Sequence, residues 1–183
     1  MTAQIKAPDL RVSQWLNASA PITLESLRGR VVALVAFQML CPGCVSHGLP
    51  QAKRIADTFS PDQVAVIGLH TVFEHHAANS PATLEAFLHE NAIGFPVGID
   101  APAAAPADPI PRTMRAYAMQ GTPTLILIDA TGRIRRRSFG HVPDLVLGAE
   151  IAQLVGEAAK ITAEDPAATP RAACADGACA VAV

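Results

Sequence analysis

With 183 residues, half of them apolar but only 4% aromatic, the chain has material for one well-cored domain plus short extras, and its core must be largely aliphatic and alanine-rich. A formal net charge of −2 supplies no basic face for nucleic acid or for an anionic membrane. No stretch reaches the roughly 18 uncharged apolar residues of a membrane span. Met1 to Asp9 contains no continuous apolar export core, so the cytoplasm is the expected compartment.

Residues 1–20 read as an irregular lead-in carrying the single Trp15. Leu24 to Arg30 is a short helical or turn segment that stops at Gly29, and the unbroken apolar run Val31 to Phe37 predicts a fully buried strand. From Pro42 a helix runs to about Phe59, with Pro50 as an internal kink. Val64 to Leu69 is a second buried strand. Ser80-Pro81 opens another helix that continues to Asn91, and Phe95 to Ile99 is a short extended segment. The Ala- and Pro-rich stretch Ala101 to Pro111 must be a loop, and Arg112 to Met119 a short helix. The strand Thr124 to Ile128, the turn Asp129 to Gly132 and a more polar strand Arg133 to Phe139 then form a hairpin. The basic run in that second strand suits the protection of a sheet edge. Leu147, Ile151, Leu154 and Val155 recur at helical spacing within a closing helix, Asp144 to Lys160. This order predicts a three-layer α/β domain over 1–161 with a mixed sheet, followed by a flexible tail over 162–183.

Four cysteines fall as two close pairs, Cys41/Cys44 and Cys174/Cys179. Cys41-Pro42-Gly43-Cys44 follows a buried strand and opens a helix, a layout suited to thiol–disulfide exchange. The helix N-terminus favours a thiolate on Cys41, and the spacing lets Cys44, one turn further in, attack a mixed disulfide formed by the first sulfur. Half of a zinc site is the competing reading of the pair, although zinc usually takes two more nearby ligands.

These pieces together resemble the thioredoxin superfamily, and within it the redoxin group of TlpA/ResA-like thiol–disulfide oxidoreductases that borders the AhpC/TSA peroxiredoxins. The likeness is carried by Ala7-Pro8-Asp9, by Leu24 to Phe37 leading into the Cys41–Cys44 motif, by Val64 to Gly68, and by Gly121-Thr122-Pro123-Thr124 before the hairpin. It implies a thioredoxin-like α/β/α sandwich and a cis Pro123 facing the dithiol. Through it Thr122 offers its backbone to an incoming peptide. The chain departs from the family pattern in four ways. Gln38-Met39-Leu40 stands where relatives carry a tryptophan-containing segment, and the strand before it lacks a buried acid. No glutamate follows Cys44, which leaves His47 as a candidate proton acceptor, and Pro50 lies one residue further from Cys44 than usual.

His70, at the end of the second strand, and Glu74 in the loop after it fall on the sheet edge that carries the dithiol. A histidine there is either a proton shuttle or one of several loop histidines with no role in chemistry. The tail pair Cys174/Cys179 is either a relay dithiol within roughly 25 Å reach of Cys41, a soft-metal clamp, or an incidental pair. The leading reading is an enzyme without cofactor or bound metal. It exchanges disulfides with a protein or small-thiol partner and is recharged by a further thiol reductant. The alternatives are a thiol peroxidase, with Gln38 where peroxiredoxins place a threonine, a metal carrier, and a redox-sensing module.

Overall fold

The run Val31–Phe37 forms β2, every residue of it buried, inside a six-stranded sheet. In the computed structural model, which describes residues 5–105 and 107–164, β2 pairs in parallel with β3 (Val64–His70) and antiparallel with β5 (Thr124–Ile128). Around these lie β1 (Val12–Leu16), β4 (Val97–Asp100) and β6 (Ile134–Phe139), giving the order β1-β4-β3-β2-β5-β6. The sheet is mixed, as expected for an α/β fold.

The alternation of side chains splits the core into two apolar layers. On one face Val31, Ala33, Val35 and Phe37 pack with Leu49, Ile55, Leu84, Leu147 and Ile151, which belong to α1 (Leu49–Thr58), α2 (Pro81–Glu90) and α4 (Asp144–Glu164). On the other, Val32, Leu34 and Ala36 pack with Ala7, Leu24, Leu27, Met114 and Tyr117. This layer is closed by α3 (Arg112–Ala116) and the early chain. Because β2 and β3 are buried on both faces, neither shows a polar alternation.

Two elements differ from the sequence expectation. The lead-in is not irregular throughout: Val12–Leu16 pairs antiparallel with β4, and a register shift between Val12 and Gln14 breaks the alternation that would have marked it as a strand. The helix after Pro42 is not simply kinked at Pro50. A π-helical turn spans Cys44–Gly48, where the Leu49 N–H donates to the Cys44 carbonyl five residues back, and Pro50 then falls in the first turn of α1. A π turn holds one residue more than an α turn, which absorbs the extra residue between Cys44 and Pro50.

β6 is a sheet edge, but its arginines do more than repel other edges. Arg135 lies 2.5 Å from Glu157 and Arg136 pairs with Glu150, fastening α4 across the hairpin. Asp100, buried at the end of β4, accepts from the amides of Thr113 and Met114 and from the Thr71 hydroxyl, and so caps α3. Burial raises its pKa, while those three donors and the Thr113 side chain oppose the rise.

Candidate active site

The strand β2 ends at Phe37, and the chain turns through Gln38, Met39 and Leu40 before Cys41. Gln38 holds this turn with its carbonyl, which accepts from the Cys41 N–H at 3.3 Å. Cys41 is half-buried and Cys44 fully enclosed, both as free thiols. The Cys44 N–H donates to the Cys41 sulfur at 3.2 Å, a bond that a thiolate accepts better than a thiol. The protonated sulfur instead reaches the Thr122 carbonyl at 3.4 Å. One sulfur is therefore presented to solvent while the other waits behind it.

Burial pushes the Cys44 thiol up to about 12, with the neighbouring Cys41 adding to the rise. The Thr122 hydroxyl and the Gln38 backbone N–H, both donating toward the sulfur, act in the opposite direction.

The Thr122–Pro123 bond is cis, as the family likeness implies, and Pro123 lies against the dithiol turn. A Cβ placed on Gly43 would stand 3.3 Å from Pro123 Cδ, and one on Gly48 only 2.9 Å from Pro123 Cβ. Both glycines thus let the proline loop approach the turn. Gly48 was not singled out from the sequence, and its only signal there was the extra residue before Pro50. The loop is also held by the Gly140 N–H, which donates to the Pro123 carbonyl.

The other candidates divide into those at the turn and those away from it. Gln38 is 2% exposed and its Nε2 donates to Glu74 at 3.5 Å, while its Oε1 has no hydrogen-bond partner among the described residues. Glu74 itself is exposed. His47 is exposed on the π turn, where Nδ1 is 2.6 Å from Ser46 Oγ and its ring is 5.3 Å from that of His141. Neither contact involves a sulfur. His70 is not on an open loop: it is 1% exposed, 5.4 Å from the Phe37 ring, and bonded to Asn79. Burial lowers its pKa to about 4 against the opposing bond to Asn79, so it is neutral at pH 7 rather than poised near its ordinary value. Cys174 and Cys179 lie outside the described residues. Among the described residues no three His, Cys, Asp or Glu side chains converge as a metal site.

Three exposed apolar side chains lie on the segments that carry the dithiol and the proline loop. Leu40 is 56% exposed, Val45 40%, and Phe139, whose ring rests on Gly121 beside the proline loop, 58%. The family model for the AhpC/TSA family matches residues 3–137, most of the chain. The chain belongs to the AhpC/TSA family. Among solved structures, this AhpC/TSA member is similar to a thioredoxin-like superfamily protein at 55% identity. That match covers 83% of this chain and 97% of the other, with a TM-score of 0.80. It is also 48% identical to a thiol-disulfide isomerase from Corynebacterium glutamicum, covering 81% and 96% of the two chains, TM-score 0.77. Protein DipZ of Mycobacterium bovis and of Mycobacterium tuberculosis is 30% identical over 155 residues, 83% of this chain. The chain spans only 21% of the length of these curated relatives. The fold is thus thioredoxin-like and of the thiol–disulfide oxidoreductase type. No described helix is long and apolar enough to cross a membrane.

Proposed function

We propose that the chain is a thiol–disulfide oxidoreductase in which Cys41 attacks a disulfide and Cys44 resolves the mixed disulfide. The observation that carries this reading is the unequal pair: a half-buried Cys41 sulfur bonded by the Cys44 N–H, and an enclosed Cys44 directly behind it. The Cys41 thiolate attacks one sulfur of the substrate disulfide and expels the other as a thiolate, which takes up a proton. The Cys44 thiolate then attacks Cys41, closing the protein disulfide and releasing the second substrate thiol. Thr122 bears on both sulfurs, with its carbonyl toward Cys41 and its hydroxyl toward Cys44, and its backbone is the surface on which a peptide would pair.

The exposed apolar side chains of Leu40, Val45 and Phe139 favour a disulfide-containing protein over a small charged thiol as substrate. The similarity to the thiol-disulfide isomerase of Corynebacterium glutamicum supports the same class. A further thiol must return the dithiol to its reduced state, and the tail pair Cys174/Cys179 is proposed as its first relay. The proposed compartment is the cytoplasm, where the reducing poise would keep Cys41 and Cys44 as thiols between turnovers. Alkylation of the chain in quenched cells, giving a mainly reduced dithiol, tests that placement.

The activity is tested by reduction of insulin and of a small aromatic disulfide against a Cys41→Ser control. Rates indistinguishable from the control overturn the reading. Fast consumption of hydrogen peroxide would instead favour a peroxidase, for which the buried Gln38 offers no hydroxyl at the threonine position.

A further inference from the structure

The resolving step raises a problem that the dithiol alone does not solve. Cys44 must lose a proton before it can attack, yet it is fully enclosed and its pKa is pushed up to about 12. The strand beneath it, Val31–Phe37, carries no acid. His47, the acceptor suggested by the sequence, is exposed and bonded to Ser46.

Gln38 joins the dithiol turn to the exposed Glu74. Its carbonyl accepts from the Cys41 N–H at 3.3 Å in the dithiol turn, its backbone opposes the rise in the Cys44 pKa, and its side chain leaves the same α-carbon to reach Glu74. The loops after β2 and β3 are held side by side there, because the Thr71 N–H donates to the Phe37 carbonyl at 3.1 Å. Gln38 Oε1 is buried and has no hydrogen-bond partner among the described residues. A buried amide oxygen in that condition is costly unless a donor reaches it.

We propose that Gln38 and Glu74 form the proton exit of the resolving thiol: a water donating to Gln38 Oε1 takes the Cys44 proton and delivers it to the Glu74 carboxylate. Cys44 S–H breaks, its electron pair forms the bond to Cys41, and the bond from Cys41 to the substrate sulfur breaks. The proton passes through the water to Glu74 and from there to solvent or to the departing thiolate. Glu74 acts through Gln38, and both are positioning residues for the proton. This inference rests on the reading of Cys41 as attacking and Cys44 as resolving thiol.

The ionisable groups around the route are few. Cys41 faces Cys44 from the same turn, and His75 and His76 follow Glu74 in the loop. His70 lies enclosed at the end of β3, and Asp100 faces Thr71 from β4. His70 and Asp100 hold bonds of their own, to Asn79 and to the Thr113 and Met114 amides, and so stand apart from the exit.

Stopped-flow reaction with the aromatic disulfide DTNB separates the two steps, in the whole chain carrying Cys174→Ser and Cys179→Ser. The first thionitrobenzoate is released when Cys41 forms its adduct and the second when Cys44 resolves it. Glu74→Gln is expected to slow the second phase by about tenfold or more at pH 7 and to raise the midpoint of its pH profile, with the first phase unchanged. Gln38→Leu should give the same signature, and Glu74→Asp, which keeps a carboxylate, should recover part of the rate. Glu74 is exposed, so its variants retain the fold, checked by an unchanged Tm. A second phase of unaltered rate and midpoint in Glu74→Gln overturns the exit, as does a shifted midpoint in His47→Ala in its place. Absence of the first phase in the unaltered dithiol overturns the underlying reading instead, and the exit with it.

Discussion

β2 and β3 lie side by side in register, Phe37 opposite His70; β2 leads through the turn Gln38-Met39-Leu40 to Cys41, whereas β3 ends in the imidazole itself. Their fates are opposite. Beyond β2 the chain turns outward, and the first cysteine stays half-buried with a backbone donor on its sulfur. At the end of β3 the imidazole turns inward, packs on Phe37 and is closed over by Asn79. Proximity to a strand end therefore does not make a site. What separates the two is access: one group can meet a partner molecule, and the other is held neutral by its surroundings.

The largest effect expected from breaking this contrast is at the open end. Cys41→Ser should lower disulfide reduction by about a thousandfold or more, since no other described thiol is accessible to attack. The closed end should respond in stability rather than rate. A histidine of ordinary pKa 6.5 that falls to about 4 on folding means that the unfolded chain binds the extra proton between those values. Its contribution is complete above pH 6.5 and is lost as pH falls toward 4, a loss of about 3 kcal/mol. His70→Gln should flatten that part of the pH dependence, read from urea midpoints at pH 7 and pH 4.5, and an unchanged slope would count against a neutral buried His70.

Smaller effects sharpen how the open end is built. Gly48→Ala places a methyl 2.9 Å from Pro123 Cβ, so either the π turn or the proline loop must shift. A cost of about 1–3 kcal/mol in thermal unfolding is expected. The exposed apolar side chains should matter least. Phe139→Ser is expected to slow reduction of a protein disulfide by about fivefold, on the order of 1 kcal/mol of lost apolar contact, and to leave the reaction with DTNB unchanged.

The open end was legible because its signals are local. A seven-residue apolar run, two cysteines three apart and Thr122-Pro123 before another apolar run all mark backbone positions directly. The early strand was not, since Val12–Leu16 has polar Ser13 and Gln14 in its middle and its register shifts there. His70 read as exposed because a histidine after an apolar strand carries no sign of its distant partner Asn79. Gly48 and Asp100 were silent for the same reason. One depends on a loop 75 residues later, the other on amides of a helix that begins at Arg112.

The central claim, that Cys41 attacks and Cys44 resolves, is tested most directly by mass spectrometry of trapped mixed disulfides. Cys44→Ser, mixed with a cysteine-containing peptide disulfide, should accumulate one peptide per chain on Cys41 and stall there. Cys41→Ser under the same conditions should accumulate little, its remaining sulfur being enclosed. An adduct forming on Cys44 as fast as on Cys41, or no adduct on either, would contradict the assignment.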